Sequence, residues 1–152
     1  ADYYRREIPV GFGTDGSASN NDLSLFGAMD LGTKLQKLAN ADTAVFTAAQ
    51  AIYGATLGGA RALGLENEVG SLVPGKFADF VLLNVEFPHL QPIHQLVSHL
   101  VYAAQGLEME TVAVEGKILY HQGKFTTLKE KEIYKRAEVW RKKISKALEE
   151  VK

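Results

Sequence analysis

Asp15 is the residue whose type and setting best suit it to do chemistry. It stands in Gly11-Phe12-Gly13-Thr14-Asp15-Gly16-Ser17-Ala18-Ser19-Asn20-Asn21, where a short apolar run ends and a polar loop of small residues begins. In α/β barrels the reacting groups sit at the C-terminal ends of the strands. A carboxylate there can bind a hard or borderline divalent cation and take a proton from water. The neighbouring glycines let the backbone approach a ligand closely. An aspartate after a strand also serves as a turn former or helix cap, so position alone leaves both roles open.

The four histidines do not complete a metal site by spacing. His94 and His99 are five residues apart, which does not bring them onto one helical face. His89 follows Pro88, and His121 ends a hairpin strand. There is no His-x-His or His-x-x-x-His pair and no cysteine, whereas a zinc site takes about three or four ligands.

The elements that must position Asp15 can be read from pattern. Ile8-Pro9-Val10-Gly11-Phe12, bounded by Gly and Pro, reads as a buried strand of a parallel sheet. Asp22 is a candidate cap for a helix whose apolar stripe is Leu25, Phe26, Met29, Leu35 and Leu38. Thr43 is a second candidate cap, for a face of Phe46, Ala49, Ile52 and Tyr53. Thr56 opens a short helix that Gly64 stops. The following stretch reads as a short strand leading into a type II turn at Pro74-Gly75. Phe80-Val81-Leu82-Leu83-Asn84-Val85 reads as a strong strand. Pro92 suits the first turn of a helix carrying Ile93, Leu96, Val97 and Leu100. Glu115-Gly116 joins two strands as a hairpin, and Gln122-Gly123-Lys124 is a further turn. Residues 129–152 form an amphipathic helix with Ile133, Ala137, Trp140, Ile144 and Ala147 or Leu148 on one side, expected as a solvated helix packed on the core.

Composition narrows the classes of function. The 152 residues are 46% hydrophobic and 23% charged, with a formal net charge of -1. That suits a globular chain and argues against nucleic-acid binding by charge, the Lys/Arg-rich last helix included. No run approaches the roughly 20 apolar residues of a membrane helix, and the start has no signal-peptide pattern. A cysteine-free chain suits a reducing, cytoplasmic setting. The opening Ala1-Asp2-Tyr3-Tyr4, without an initiator methionine, is what a fragment or processed chain would show.

Four ordered blocks carry a resemblance. Gly13-Thr14-Asp15-Gly16-Ser17-Ala18-Ser19-Asn20-Asn21-Asp22 resembles the loop after the eighth barrel strand of the amidohydrolase superfamily. It is most similar to the branch holding methylthioadenosine/S-adenosylhomocysteine deaminases, triazine chlorohydrolases and guanine deaminases. Thr56-Leu57-Gly58-Gly59-Ala60-Arg61-Ala62-Leu63-Gly64-Leu65 resembles a helix of that family. Gly70-Ser71-Leu72-Val73-Pro74-Gly75-Lys76-Phe77-Ala78-Asp79-Phe80-Val81 resembles its turn and strand. Pro92, His99-Leu100-Val101-Tyr102-Ala103 and Val112 to Gly116 resemble its closing segment.

The resemblance implies an α/β fold: the last strand and helices of a TIM barrel, then C-terminal strands of a composite β-sandwich and a terminal helix. The implied divisions are 1–68, 69–128 with an inserted helix, and 129–152. Asp15 is implied as both metal ligand and general base. The metal is zinc or another divalent ion, which this chain does not completely ligate. Ser19, Asn20 and Asn21 are implied to shape the loop beside the metal, and to reach its supporting groups or the substrate. Asp79 and Arg61 are implied as structural, and His99 as a packing residue.

The chain departs from the family in lacking the His-x-His pair after the first barrel strand and the later histidines. The first sandwich strands are missing too. The expectation is therefore part of a deaminase acting on a small purine-type nucleoside, inactive by itself and completed by the missing N-terminal portion. A chlorohydrolase or guanine deaminase is the nearest competitor. The third reading is a non-catalytic fragment, in which exposed faces on residues 8–12 and 80–85 favour a homo-oligomer or domain swap.

Overall fold

The computed structural model describes residues 2–150. Short helix α1 (Asp2–Arg5) precedes the extended segment 8–13, and α2 (Leu25–Asn40) follows the polar loop. Two short helices come next, α3 (Ala48–Ala55) and α4 (Leu57–Leu63). Strand β1 (Phe80–Leu83) leads through a 3-10 turn at Pro88–Leu90 to α5 (Leu96–Tyr102). Strands β2 (Met109–Val114), β3 (Lys117–His121) and β4 (Lys124–Phe125) follow, and α6 (Glu130–Glu150) ends the described chain. Among the described residues no helix is long and apolar enough to cross a membrane.

The helical part has one core. Met29, Phe46, Ala48, Ala51 and Val101 are buried, with Tyr4, Phe12, Phe26, Ile52 and Ala55 packed against them. α5 lies against both α2 and α3. Tyr4 stands edge-on to Phe46 at 5.2 Å between ring centroids and gives its hydroxyl proton to the Gln50 carbonyl. Burial, with Tyr53 beside it, raises the pKa of that hydroxyl.

The helix starts differ from those read in sequence. Asp22 does not cap α2; Ser24 does, its hydroxyl accepting from Gly27 N–H at 3.2 Å. Thr43 does not cap α3; Thr47 does, in a reciprocal pair with Gln50. The winning residues are those whose side-chain oxygen meets a free first-turn N–H. Phe46, expected on that helical face, precedes the helix with φ of 50° and buries its ring in the core. α5 begins after Gln95, so Pro92 lies in the irregular stretch ahead of it. Thr56 and Gly64 do bound α4, Gly64 in the left-handed conformation.

The sheet is four-stranded and antiparallel, in the order β1-β2-β3-β4. Both two-residue turns have positive φ at each position, Glu115-Gly116 at 51° and 74° and Gln122-Gly123 at 45° and 80°. That backbone matches the twist of paired strands. Asp79 Oδ1 accepts from Glu115 N–H at 2.7 Å, so this carboxylate fastens the hairpin to the start of β1. No strand forms over 70–76; the Pro74-Gly75 turn is present, with Lys76 N–H donating to Val73 O at 3.3 Å.

Two further expectations fail. Residues 8–13 are not a strand, because no described strand runs beside them to exchange hydrogen bonds. α6 is not packed on the core: none of its residues is buried, and Trp140 is 60% exposed. Its partners within the chain are ion pairs along its own surface, such as Arg141 with Glu138 at 2.6 Å.

Candidate active-site loop

The segment leading to Asp15 is held by close packing. A Cβ on Gly11 would come within 2.8 Å of the Gly59 backbone, so the two chains touch where only glycine fits. Phe12 N–H donates to Gly54 O at 3.2 Å. The Phe12 ring fills the space beside Gly32 of α2 and Gly54 of α3; a Cβ at Gly32 would meet it at 2.5 Å. Gly11 therefore serves packing, not approach to a ligand. Gly13 and Gly16 have open space around them.

Beyond Phe12 the chain turns outward and Asp15 is exposed. Its φ is 61°, a left-handed conformation that aspartate tolerates better than most residues. Oδ1 accepts from Gly16 N–H at 2.6 Å. No hydrogen bond to Oδ2 is found among the described residues, so one carboxylate oxygen is open to a ligand or a proton.

Of the three polar residues expected around Asp15, Asn20 alone bonds through its side chain among the described residues. Its Nδ2 donates to Thr14 O at 2.8 Å, its backbone N–H donates to Gly16 O at 2.9 Å, and its Oδ1 accepts from Asp22 N–H at 3.2 Å. Ser19 meets the loop through its backbone N–H on Gly16 O at 2.9 Å. Asn21 is exposed. Asp22 accepts from Ser24 N–H at 2.8 Å, a role that the cap reading missed. The signal for it was the alternation Asn20, Asp22, Ser24: the first two accept from the backbone N–H two residues on, and Ser24 from the one three residues on.

The histidines are elsewhere. His89 Nε2 donates to Glu108 Oε1 at 2.5 Å, His121 Nδ1 pairs with the Thr111 hydroxyl at 2.8 Å, and His99 Nδ1 lies 2.9 Å from Gln95 O. Arg61 donates to the Tyr53 hydroxyl at 2.8 Å, an anchor between α4 and α3. Among the described residues no group of three or more His, Cys, Asp or Glu could hold a metal ion. An open cleft of about 720 Å³ lies between the helices and the sheet, lined by apolar residues including Phe12, Leu63, Leu72, Phe80 and Val114. Asp15 does not line it.

Known proteins resemble the chain over most of its length. The profile of the "Amidohydrolase family" matches residues 1–119. A 5-methylthioadenosine/S-adenosylhomocysteine deaminase of Moorella thermoacetica is 46% identical over 127 residues, which is 84% of this chain and 30% of that protein. The fold superimposes on an adenosine deaminase from Xanthomonas campestris with bound zinc, with a TM-score of 0.91 and 35% identity, over 94% of this chain and 33% of that one. It also superimposes on an atrazine chlorohydrolase from Arthrobacter aurescens TC1 complexed with zinc, with a TM-score of 0.83 and 25% identity, over 91% of this chain and 31% of that one. The chain thus spans about a third of the length of the proteins it matches.

Proposed function

Because this chain belongs to the amidohydrolase family, we propose that it is the C-terminal part of a metal-dependent hydrolytic deaminase of adenine-type nucleosides, methylthioadenosine and S-adenosylhomocysteine among them. The observation that carries this reading is the 46% identity to a deaminase of those substrates over 127 residues, beside a family match over residues 1–119 that includes the Asp15 loop. In this reading residues 1–68 end a barrel, 69–128 contribute sandwich strands, and 129–152 form a terminal helix. A cytoplasmic location, suggested by the cysteine-free composition, belongs to the same reading.

The donor set fits one corner of a zinc or other divalent site and not a whole one. Asp15 offers a carboxylate oxygen from a fixed backbone, and the remaining ligands would come from the rest of the longer protein. A bound divalent ion would supply a water whose pKa falls toward about 7. Asp15 Oδ2 takes a proton from the water that attacks the ring carbon bearing the exocyclic amine. It then returns that proton to the nitrogen as the carbon–nitrogen bond breaks and ammonia leaves. Gly16 N–H holds Oδ1 of the carboxylate, and the Thr14 hydroxyl donates to the Asp15 carbonyl.

The test uses the longer polypeptide that carries this segment, purified with zinc. It should release ammonia from methylthioadenosine, and Asp15→Asn should lower kcat by about 10²–10⁴-fold without unfolding the protein. Undiminished turnover by the variant would sink the reading. The likeness to the chlorohydrolase supports a second reading, in which water displaces chloride from a triazine. Chloride release from atrazine without ammonia release from the nucleoside, or ammonia release from guanine alone, would redirect the assignment.

A further inference from the structure

We propose that Asn20 is a positioning residue for Asp15, a proposal that rests on the role given to Asp15 above. Four hydrogen bonds in series link the first turn of α2 to the peptide that bears Asp15. Gly27 N–H donates to Ser24 Oγ at 3.2 Å, and Ser24 N–H to Asp22 Oδ1 at 2.8 Å. Asp22 N–H donates to Asn20 Oδ1 at 3.2 Å, and Asn20 Nδ2 to Thr14 O at 2.8 Å. The Thr14 carbonyl belongs to the peptide that enters Asp15. Asn20 N–H also donates to Gly16 O, in the peptide that leaves the next residue. One side chain and its own backbone amide thereby hold the peptide that enters Asp15 and the peptide that leaves Gly16.

The chemistry of the side chain is specific. A backbone carbonyl at one end demands a donor, and a backbone N–H at the other demands an acceptor. Only an amide offers both at this length, which also sets which atom of Asn20 is nitrogen. The anchor at the far end is firm, since α2 buries Met29 and Thr33 in the helical core. Asp15 needs such a brace. Its φ of 61° is unfavourable for a residue with a Cβ, and residues 15–23 are exposed. Gly11 and Phe12 clamp the chain before the loop, and the Asn20 series clamps it from the other side. A carboxylate displaced by about 1 Å loses on the order of 10²-fold in rate.

The experiment compares Asn20→Asp, Asn20→Ala and Asp15→Asn in the full-length zinc-loaded enzyme. It measures kcat, KM, melting temperature and zinc retention against a chelator. Asn20→Asp keeps the shape and the acceptor but sets an oxygen against the Thr14 carbonyl. Both Asn20 variants should lose about 30- to 100-fold in kcat, with KM within about 3-fold and zinc lost at lower chelator concentration. Parent-like kcat and zinc retention in both Asn20 variants, with Asp15→Asn inactive, would overturn the proposal and leave the role of Asp15 standing. A kcat loss matched by a large fall in melting temperature in both variants would also overturn it. An active Asp15→Asn would instead overturn the reading on which it rests.

Discussion

His89 Nε2 and Glu108 Oε1 lie 2.5 Å apart, and the carboxyl group of Glu108 is wholly buried. Burial works against its charge. Hydrogen bonds from its own N–H, from His89 and from the amides of Gln105 and Gly106 outweigh that penalty and hold its pKa below the ordinary 4.5. The bond from Gly106 is 2.8 Å. The charged group thus pins the loop between α5 and β2 to the turn after β1.

A carboxyl whose folded pKa is lowered adds stability above its unfolded pKa, and that stability is lost as pH falls through the folded value. For Glu108 the window opens near 4.5 and extends below it. Glu108→Gln should cost about 1–3 kcal/mol at pH 7, since it leaves buried donors poorly matched. The gap from the parent should narrow as pH falls below 4.5. Urea unfolding at several pH values checks this. A difference that stays constant across the window would show that the carboxylate charge contributes nothing.

Gly11→Ala should destabilise the chain by about 1–3 kcal/mol, because backbone and not a movable side chain lies 2.8 Å from the new Cβ. Gly13→Ala, in open space, should be close to neutral. Thermal unfolding of the pair separates a packing requirement from a general need for glycine in this segment.

Glu115 adopts φ of 51° in the hairpin turn, where asparagine is better suited. Glu115→Asn should raise stability by about 0.5–1 kcal/mol while its N–H still donates to Asp79. Asp79→Ala should remove about 1 kcal/mol through the loss of that bond. Chemical denaturation of the two variants and their combination would show whether the turn and its fastening act independently.

The isolated chain leaves Leu38, Leu63 and Leu72 each more than 70% exposed, together with the apolar side of α6. Sedimentation should show association that rises with concentration. Trp140→Glu with Ile144→Glu should weaken it and leave the unfolding midpoint nearly unchanged, since α6 buries nothing within the chain. Unaltered association would place the contact on another face.

Much of the local structure was legible in order along the chain. Phe80 to Leu83, nearly all apolar, is a strand, and Glu115-Gly116 is a two-residue turn between strands. Gly64 stops its helix, and Asp79 is structural. Each follows from a neighbouring pattern or from a backbone angle that few residues tolerate. The Asp15 loop was legible as a polar excursion after an apolar run, and it is an exposed loop in the structure.

What the amino-acid order could not settle was decided by partners distant in sequence. Ile8 to Phe12 has the composition of a buried strand, yet strand pairing needs a neighbour, and none of the described strands lies beside it. The amphipathic pattern of α6 is correct as a helix but did not dictate a packing partner, because periodicity marks a face and not what covers it. Asp22 and Ser24 are both good caps by type, and only the fold showed that one caps α2 while the other relays its N–H toward Asn20. The sequence by itself determined which segments are helix, strand and loop near each strong signal. The tertiary structure alone decided how Asp15 is braced, because hydrogen bonds and glycine contacts depend on where remote backbone atoms come to rest.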